Sequence, residues 1–240
     1  MNSLANIIPF NNVTTAQVSD SYPNLFTPPG YVFSIWGVIY FLSIVFMIYQ
    51  VRPNQRGKDY LKEIGPFYLI SAIINMTWLF LFHYSYGVSL LFLVSVIDLL
   101  LLLVVLILIY FKLGIGKVKI SLYDKIAVHL PISVYLGWIS LASIAGIASA
   151  FNLLVPGISI TNQACGTAIM IIVAVLLSSV MLFKRRDLAF VIVVLWALIG
   201  IAFKQIDIQI IYWTTIIAIL LLFLEIIYVF IIKKRLEKFS

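Results

Sequence analysis

Three pairs of residues give this chain its polar-tipped aromatic chemistry: Trp36 with Tyr40, Asn75 with Trp78, and Tyr135 with Trp138. A spacing of three or four residues puts both members of a pair on one face of a helix. Ser71 and Phe82 extend the stripe of Asn75 and Trp78. Indoles and phenols converging from three helices would line an amphipathic pocket, with an amide to orient what binds there. The competing interpretation is plain helix packing or an interfacial aromatic belt, which such residues also serve.

Asp98 is the other candidate, inside the apolar run Val96-Ile97-Asp98-Leu99-Leu100. A carboxylate at mid-bilayer costs about 2.5–3.5 kcal/mol on insertion scales, which makes it a functional residue by default. A structural hydrogen bond to a neighbouring helix, through Asn75 for instance, is the alternative. His83 and His129 have no metal-ligand spacing, and His129, beside Pro131, reads as a packing residue. The lone Cys165 excludes an internal disulfide and a multi-cysteine metal site. Phosphate-cradling glycine loops and nucleophile elbows are absent, so no catalytic residue and no metal site is assigned. Glu225 is expected to pair with Lys233, and Lys204 with Asp207 at an interface.

The elements that position these residues follow from composition. Of the 240 residues, 63% are hydrophobic and 10% charged, and the mean hydropathy is +1.14. That much apolar surface needs lipid as its solvent. A bilayer-spanning helix takes about 20 mostly apolar residues. Stretches near 31–50, 66–84, 88–111, 127–150, 164–183, 188–203 and 208–232 meet or approach this, the sixth being short and the fourth containing Pro131. Lipid cannot satisfy open backbone groups, so the spans are helices. The fold class is an all-α integral membrane bundle of about seven transmembrane helices.

A net charge of +7 is compatible with nucleic-acid binding, but its placement argues otherwise. Of 16 Lys and Arg residues, all but Lys204 follow the first, third, fifth or seventh span, at one side of the bundle. Short basic loops stay cytoplasmic, which puts the N-terminus outside and the C-terminus in the cytoplasm. The partners expected are membrane lipid and a hydrophobic small molecule, with no nucleic acid and a homodimer left open. The compartment expected is the plasma membrane of a prokaryote.

Residues 1–30 contain no Lys or Arg and no apolar run long enough for a signal peptide. Pro23, Pro28, Pro29 and Gly30 mark an outer loop that could act as a lid. The loop near 151–163, with Pro156 and Gly157, is expected to fold over the same mouth. The hairpin at His83–Gly87 forces the second and third spans to pack antiparallel.

The first span is approached through Pro28-Pro29-Gly30-Tyr31-Val32-Phe33, followed by Trp36 and Tyr40. Phe67-Tyr68, Asn75 and Trp78 follow on the second, and Tyr135-Leu136-Gly137-Trp138 on the fourth. Over residues 24–150 this order resembles the TspO/MBR family, the tryptophan-rich sensory proteins that include the translocator protein. Three of the five tryptophans fall on family positions. The resemblance implies a site for flat hydrophobic molecules, such as a porphyrin or haem-type ligand or a sterol-like one. Tyr31, Trp36, Tyr40, Asn75, Trp78, Tyr135 and Trp138 would line it, with Asp98 as a buried anchor. Some family members break down porphyrins, but no constellation here argues independently for an enzyme.

The chain departs from the family in three places. The family has a membrane helix before the Pro-Pro loop, expected here to be lost or to lie upstream of residue 1. Its five-helix unit ends where the fourth span ends, yet three more spans follow. It also tends to place Asn eight residues after the last Trp, where this chain has Gly146. The organisation expected is therefore a lid at 1–30, TspO-like helices at 31–150, and three additional helices with a basic tail at 151–240. The function expected is a TspO-like sensor or carrier of a planar or lipid-like molecule; the alternative is a proton-linked secondary transporter using Asp98.

Overall fold

The computed structural model describes residues 10–233, with side chains described through Ile231. Residues 1–9 of the expected lid, the Lys233 side chain, and Lys234, Arg235 and Lys238 of the expected basic tail lie outside the described residues. After a 3-10 turn at Phe10–Asn12 come, among the described residues, eight α-helices of seven residues or more: α1 Thr15–Ser21, α2 Ile35–Gln50, α3 Asp59–Tyr84, α4 Ser89–Lys112, α5 Leu130–Leu154, α6 Ile160–Arg185, α7 Leu188–Lys204 and α8 Gln209–Ile227. There is no strand among the described residues. Six helices are long and apolar enough to cross a membrane, and α7 is a shorter apolar helix of 17 residues.

The second span begins seven residues earlier than its apolar run, at Asp59, because a helix continues past the lipid edge into the charged layer. Pro66 is accommodated inside it. Pro131 lies in the first turn of α5, a position that tolerates its missing N–H. A π-helical turn at Lys125–His129 takes up that irregularity.

α3 and α4 form the expected antiparallel hairpin, and α4 packs on α5. α5 then bridges to α7, which is in turn enclosed by α6 and α8. The close approach of α5 to α7 occurs at Gly137, where a Cβ would lie 3.2 Å from the Val193 Cβ. Small residues at such crossings let helix backbones approach where lipid supplies no hydrophobic drive. α7 buries residues around most of its circumference, from Phe190 to Ala202, so its shortness is offset by protein neighbours.

Residues 10–30 fill one end of the bundle. Asn24 accepts from the Phe26 and Thr27 backbone N–H groups, both at 2.8 Å, through Oδ1. Its Nδ2 donates to Thr27 Oγ1 at 2.7 Å and Ser149 Oγ at 2.6 Å. The Ser149 hydroxyl donates to the Tyr22 carbonyl at 2.6 Å. The Tyr22 ring stacks on Phe92 at 3.9 Å, and its hydroxyl donates to the Ser85 carbonyl. Asn152, at the end of α5, donates to the Pro23 carbonyl at 3.1 Å, and Pro156 and Gly157 flank the same mouth. Lys204 pairs with Asp20 at 3.2 Å rather than with Asp207, because the segment brings its own carboxylate to the mouth.

The 3-10 turn Gly30–Ser34 leads into α2 and rests on α7. Trp196 Nε1–H donates to the Val32 carbonyl at 3.1 Å, and Gln205 donates to the Leu25 carbonyl at 2.9 Å. At Gly200 even a methyl group would stand 2.5 Å from Val32 Cγ2.

Candidate functional site

Trp36, on the first turn of α2, is 2% exposed and touches rings from two other helices. It stacks on Tyr40 at 5.5 Å and on Trp78 at 5.4 Å. It meets Tyr135 and Trp138 edge-on, each at 6.2 Å. Trp78 continues the stack to Phe82 at 5.0 Å. Helix spacing thus delivers the three sequence pairs to one cluster, as one-face periodicity requires. Phe33, from the turn before α2, closes on Trp138 at 5.7 Å.

This cluster stands between two cavities. The inner one is lined by Trp36, Trp78 and Trp138, by Phe92, Val96 and Leu99 of α4, and by Phe26, Thr27 and Pro28 of the covering segment. It offers about 70 Å³ to the centre of a water molecule. Among its hydroxyls, Ser95 donates to the Phe92 carbonyl and Ser149 to the Tyr22 carbonyl. Gly146 lines it as well, so the position where the family tends to carry Asn adds no polar group.

The second cavity is a groove of about 310 Å³ by the same measure. It runs between α2 and α3, because α2 packs mainly on α5 and leaves its sequence neighbour apart. Tyr40, Ser43, Tyr68, Ser71, Asn75 and Tyr135 supply its polar atoms. Ser43 and Ser71 spend their hydroxyls on the Ile39 and Tyr68 carbonyls.

Six buried side-chain polar atoms have no hydrogen-bond partner among the described residues, and three belong here: Asn75 Oδ1, Tyr135 Oη and Trp138 Nε1. Buried polar groups are normally paired, so each such atom calls for a reason. Together they offer one acceptor, one hydroxyl and one N–H beside flat aromatic faces. No group of three or more His, Cys, Asp or Glu that could hold a metal occurs among the described residues.

Two sequence candidates stand elsewhere. Tyr31 is 51% exposed and sets its ring edge against Trp196 at 5.8 Å. Asp98, on α4, lines neither cavity; its Oδ2 is buried without a partner among the described residues. Asn75 Oδ1 is also unpartnered, and no hydrogen bond joins it to Asp98. Glu225 accepts from Ser179 Oγ at 2.9 Å. The sequence reading missed Phe33, Phe92 and the covering residues Phe26, Thr27 and Pro28. Nothing local flags the two phenylalanines as lining residues, whereas Pro23, Pro28, Pro29 and Gly30 marked the covering segment as an outer loop.

An all-helical bundle with six apolar spans and an aromatic cluster beneath a polar plug is a multi-pass membrane protein. The chain belongs to the family described as TSPO-like protein, which matches residues 1–228, through the helices after residue 150 as well as those before it. Among curated proteins and among solved structures, none matches it.

Proposed function

We propose that this TSPO-like membrane protein binds a hydrophobic, planar small molecule at the Trp36 cluster and acts as a sensor or carrier of it. The main support is the set of three unpartnered polar atoms placed among stacked rings between an inner cavity and a lateral groove. Flat aromatic faces suit a flat apolar ligand, and a few fixed polar atoms orient it. The groove is lined in part by the exposed apolar side chains of Ile44, Met47 and Met76, so in a bilayer it would open to hydrocarbon and admit a lipid-dissolved ligand beside Tyr40. The inner cavity is far smaller than a tetrapyrrole. A porphyrin or haem-type ligand therefore requires the Trp36–Trp78 wall to part or residues 10–30 to lift, whereas a smaller planar molecule needs less movement. The basic end of the bundle faces the cytoplasm in this proposal.

Titration with protoporphyrin, followed by tryptophan quenching, tests the site. Asn75→Ala and Trp138→Phe should each weaken binding about fivefold to tenfold, the worth of one hydrogen bond. Unchanged affinity in both would remove the site.

One observation favours a second function, proton-linked secondary transport: the buried, unpartnered Asp98 Oδ2. An intramembrane acid of this kind is suited to carrying a proton. Uptake into vesicles should then lose its pH dependence in Asp98→Asn. Uptake that survives that change at every pH excludes the mechanism.

A further inference from the structure

The groove between α2 and α3 carries two polar atoms whose chemistry restricts what can fill it. Asn75 Oδ1 and the Tyr135 hydroxyl are both without a partner among the described residues. Their side chains are 7% and 8% exposed, yet both residues line the groove. Asn75 stands one helical turn beyond Ser71 and two beyond Tyr68, so the polar groups of α3 form a row along it. No Lys, Arg, His, Asp or Glu occurs in the lining among the described residues. A charged head would therefore be buried there without a counterion, which is costly. The head that fits is neutral.

Asn75 Oδ1 can only accept, so it calls for an O–H or N–H from whatever binds. Ser43 and Ser71 do not supply one, because their hydroxyls donate to the Ile39 and Tyr68 carbonyls at 2.8 and 2.7 Å. The serine oxygens keep lone pairs, which adds two acceptors to the lining. The Tyr135 hydroxyl can give or take a hydrogen bond. An occupant whose only polar atoms are carbonyl or ether oxygens would satisfy Tyr135 and leave Asn75 Oδ1 buried and unpaired. The penalty for that is larger than the gain from an average hydrogen bond.

The walls describe the rest of the molecule. Tyr40, which lines the groove, stacks on Trp36 at 5.5 Å, and Tyr135 meets Trp36 edge-on at 6.2 Å. A flat aromatic ring extends such an arrangement by offset or edge contact. Ile44, Met47 and Met76 are lining residues with exposed apolar side chains, so a hydrocarbon tail has a path away from the polar row. Methionine adapts to tails of irregular shape.

We propose that the ligand of this site is a neutral lipid phenol, a flat ring bearing hydroxyl groups on an apolar tail. A ring hydroxyl donates to Asn75 Oδ1, a ring oxygen accepts from the Tyr135 hydroxyl, and the tail leaves past Met47 and Met76. This rests on the reading of the Trp36 cluster as a site for a planar molecule, and adds that the molecule must be uncharged and bring a donor. A hydroquinone meets both conditions. Its oxidised form, a quinone, has the same outline and tail but only acceptors. The site therefore separates the reduced from the oxidised member of such a pair, since a pocket built to bond a hydroxyl rejects the analogue that lacks it.

The test is calorimetric titration of the full chain in lipid nanodiscs, without oxygen, with decylubiquinol and with decylubiquinone. The quinol should bind about tenfold more tightly, the effect of one buried acceptor left unpaired by the quinone. Asn75→Leu, similar in size, should bring the two forms to within about twofold of each other. Tyr135→Phe should weaken both by a similar factor, because the oxygens of either form accept from its hydroxyl. Phe41→Leu, an exposed residue of α2 outside the lining, should change neither. Dodecan-1-ol, with a hydroxyl and no ring, should bind more weakly than the quinol. Equal affinity of quinol and quinone for the wild type would overturn the assignment, as would a preference that survives Asn75→Leu or dodecan-1-ol binding as tightly as the quinol. Protoporphyrin titrated in parallel separates the two readings: if it binds while any of those results is obtained, the Trp36 site stands and the phenol falls. If neither protoporphyrin nor the quinol binds, both fall. Should Asn75→Leu melt far below wild type, Tyr135→Phe replaces it, and loss of the preference in that variant counts against the role given to Asn75.

Discussion

Asn24→Ala should unseat residues 10–30. The substitution removes the acceptor that satisfies two buried backbone N–H groups, of Phe26 and Thr27, and the donor that reaches Thr27 and Ser149. Leaving a buried donor unpaired costs about 1–3 kcal/mol, so two orphaned amides imply a loss on the order of 3 kcal/mol. The loss falls on a short segment, so local opening should precede global unfolding. Limited proteolysis should cut the variant within residues 10–30 under conditions where wild type resists. Asn24→Asp, which keeps the acceptor and loses the donor, should be intermediate. Equal protease resistance in Asn24→Ala would show that the plug is held by its other contacts, among them Tyr22 on Phe92 and Lys204 with Asp20.

Trp36→Ala should have the largest effect on the aromatic cluster. The indole is the one ring in contact with Tyr40, Trp78, Tyr135 and Trp138 together. Removing a buried Trp side chain costs about 3–5 kcal/mol where the surroundings cannot collapse. Here they cannot collapse easily, because α5 is held against α7 at Gly137. The missing ring would also join the inner cavity to the groove beside Asn75. A circular-dichroism melt in detergent should show a large drop in midpoint, and Trp36→Phe should recover much of it. A Trp36→Ala variant that melts like wild type would mean that the other rings close over the gap.

The helices were legible because lipid leaves few options: a long apolar run must be a helix, and its ends are marked by charge. The convergence of Trp36, Asn75–Trp78 and Tyr135–Trp138 was legible for a similar reason, since helical spacing fixes the face. Tyr31 was harder. It lies in a 3-10 turn, whose three-residue repeat points side chains differently from the α-helix that follows, and its ring meets Trp196 instead. Lys204 was paired with a sequence neighbour, whereas its partner Asp20 comes from a distant segment. The bonds from Asn24 to Ser149 and from Gln205 to Leu25 join remote parts of the chain, and no periodicity announces such contacts.

The seating of the turn before α2 on α7 has a consequence for the order in which this protein is made. Val32 waits for Trp196, Leu25 for Gln205 and Asp20 for Lys204, partners 164, 180 and 184 residues further along. A segment synthesised well before its partners is therefore among the last to reach its final place. Contacts of such long range are slow to form, because their closure entropy must be met before they repay it. Until α7 is inserted, the inner cavity beside Trp36 would lack its Ala197 and Ile201 wall and the aromatic cluster would be open on that side. Arrest of synthesis after α5 would leave a bundle with an open aromatic face, the form in which misassembly with a neighbouring chain is easiest.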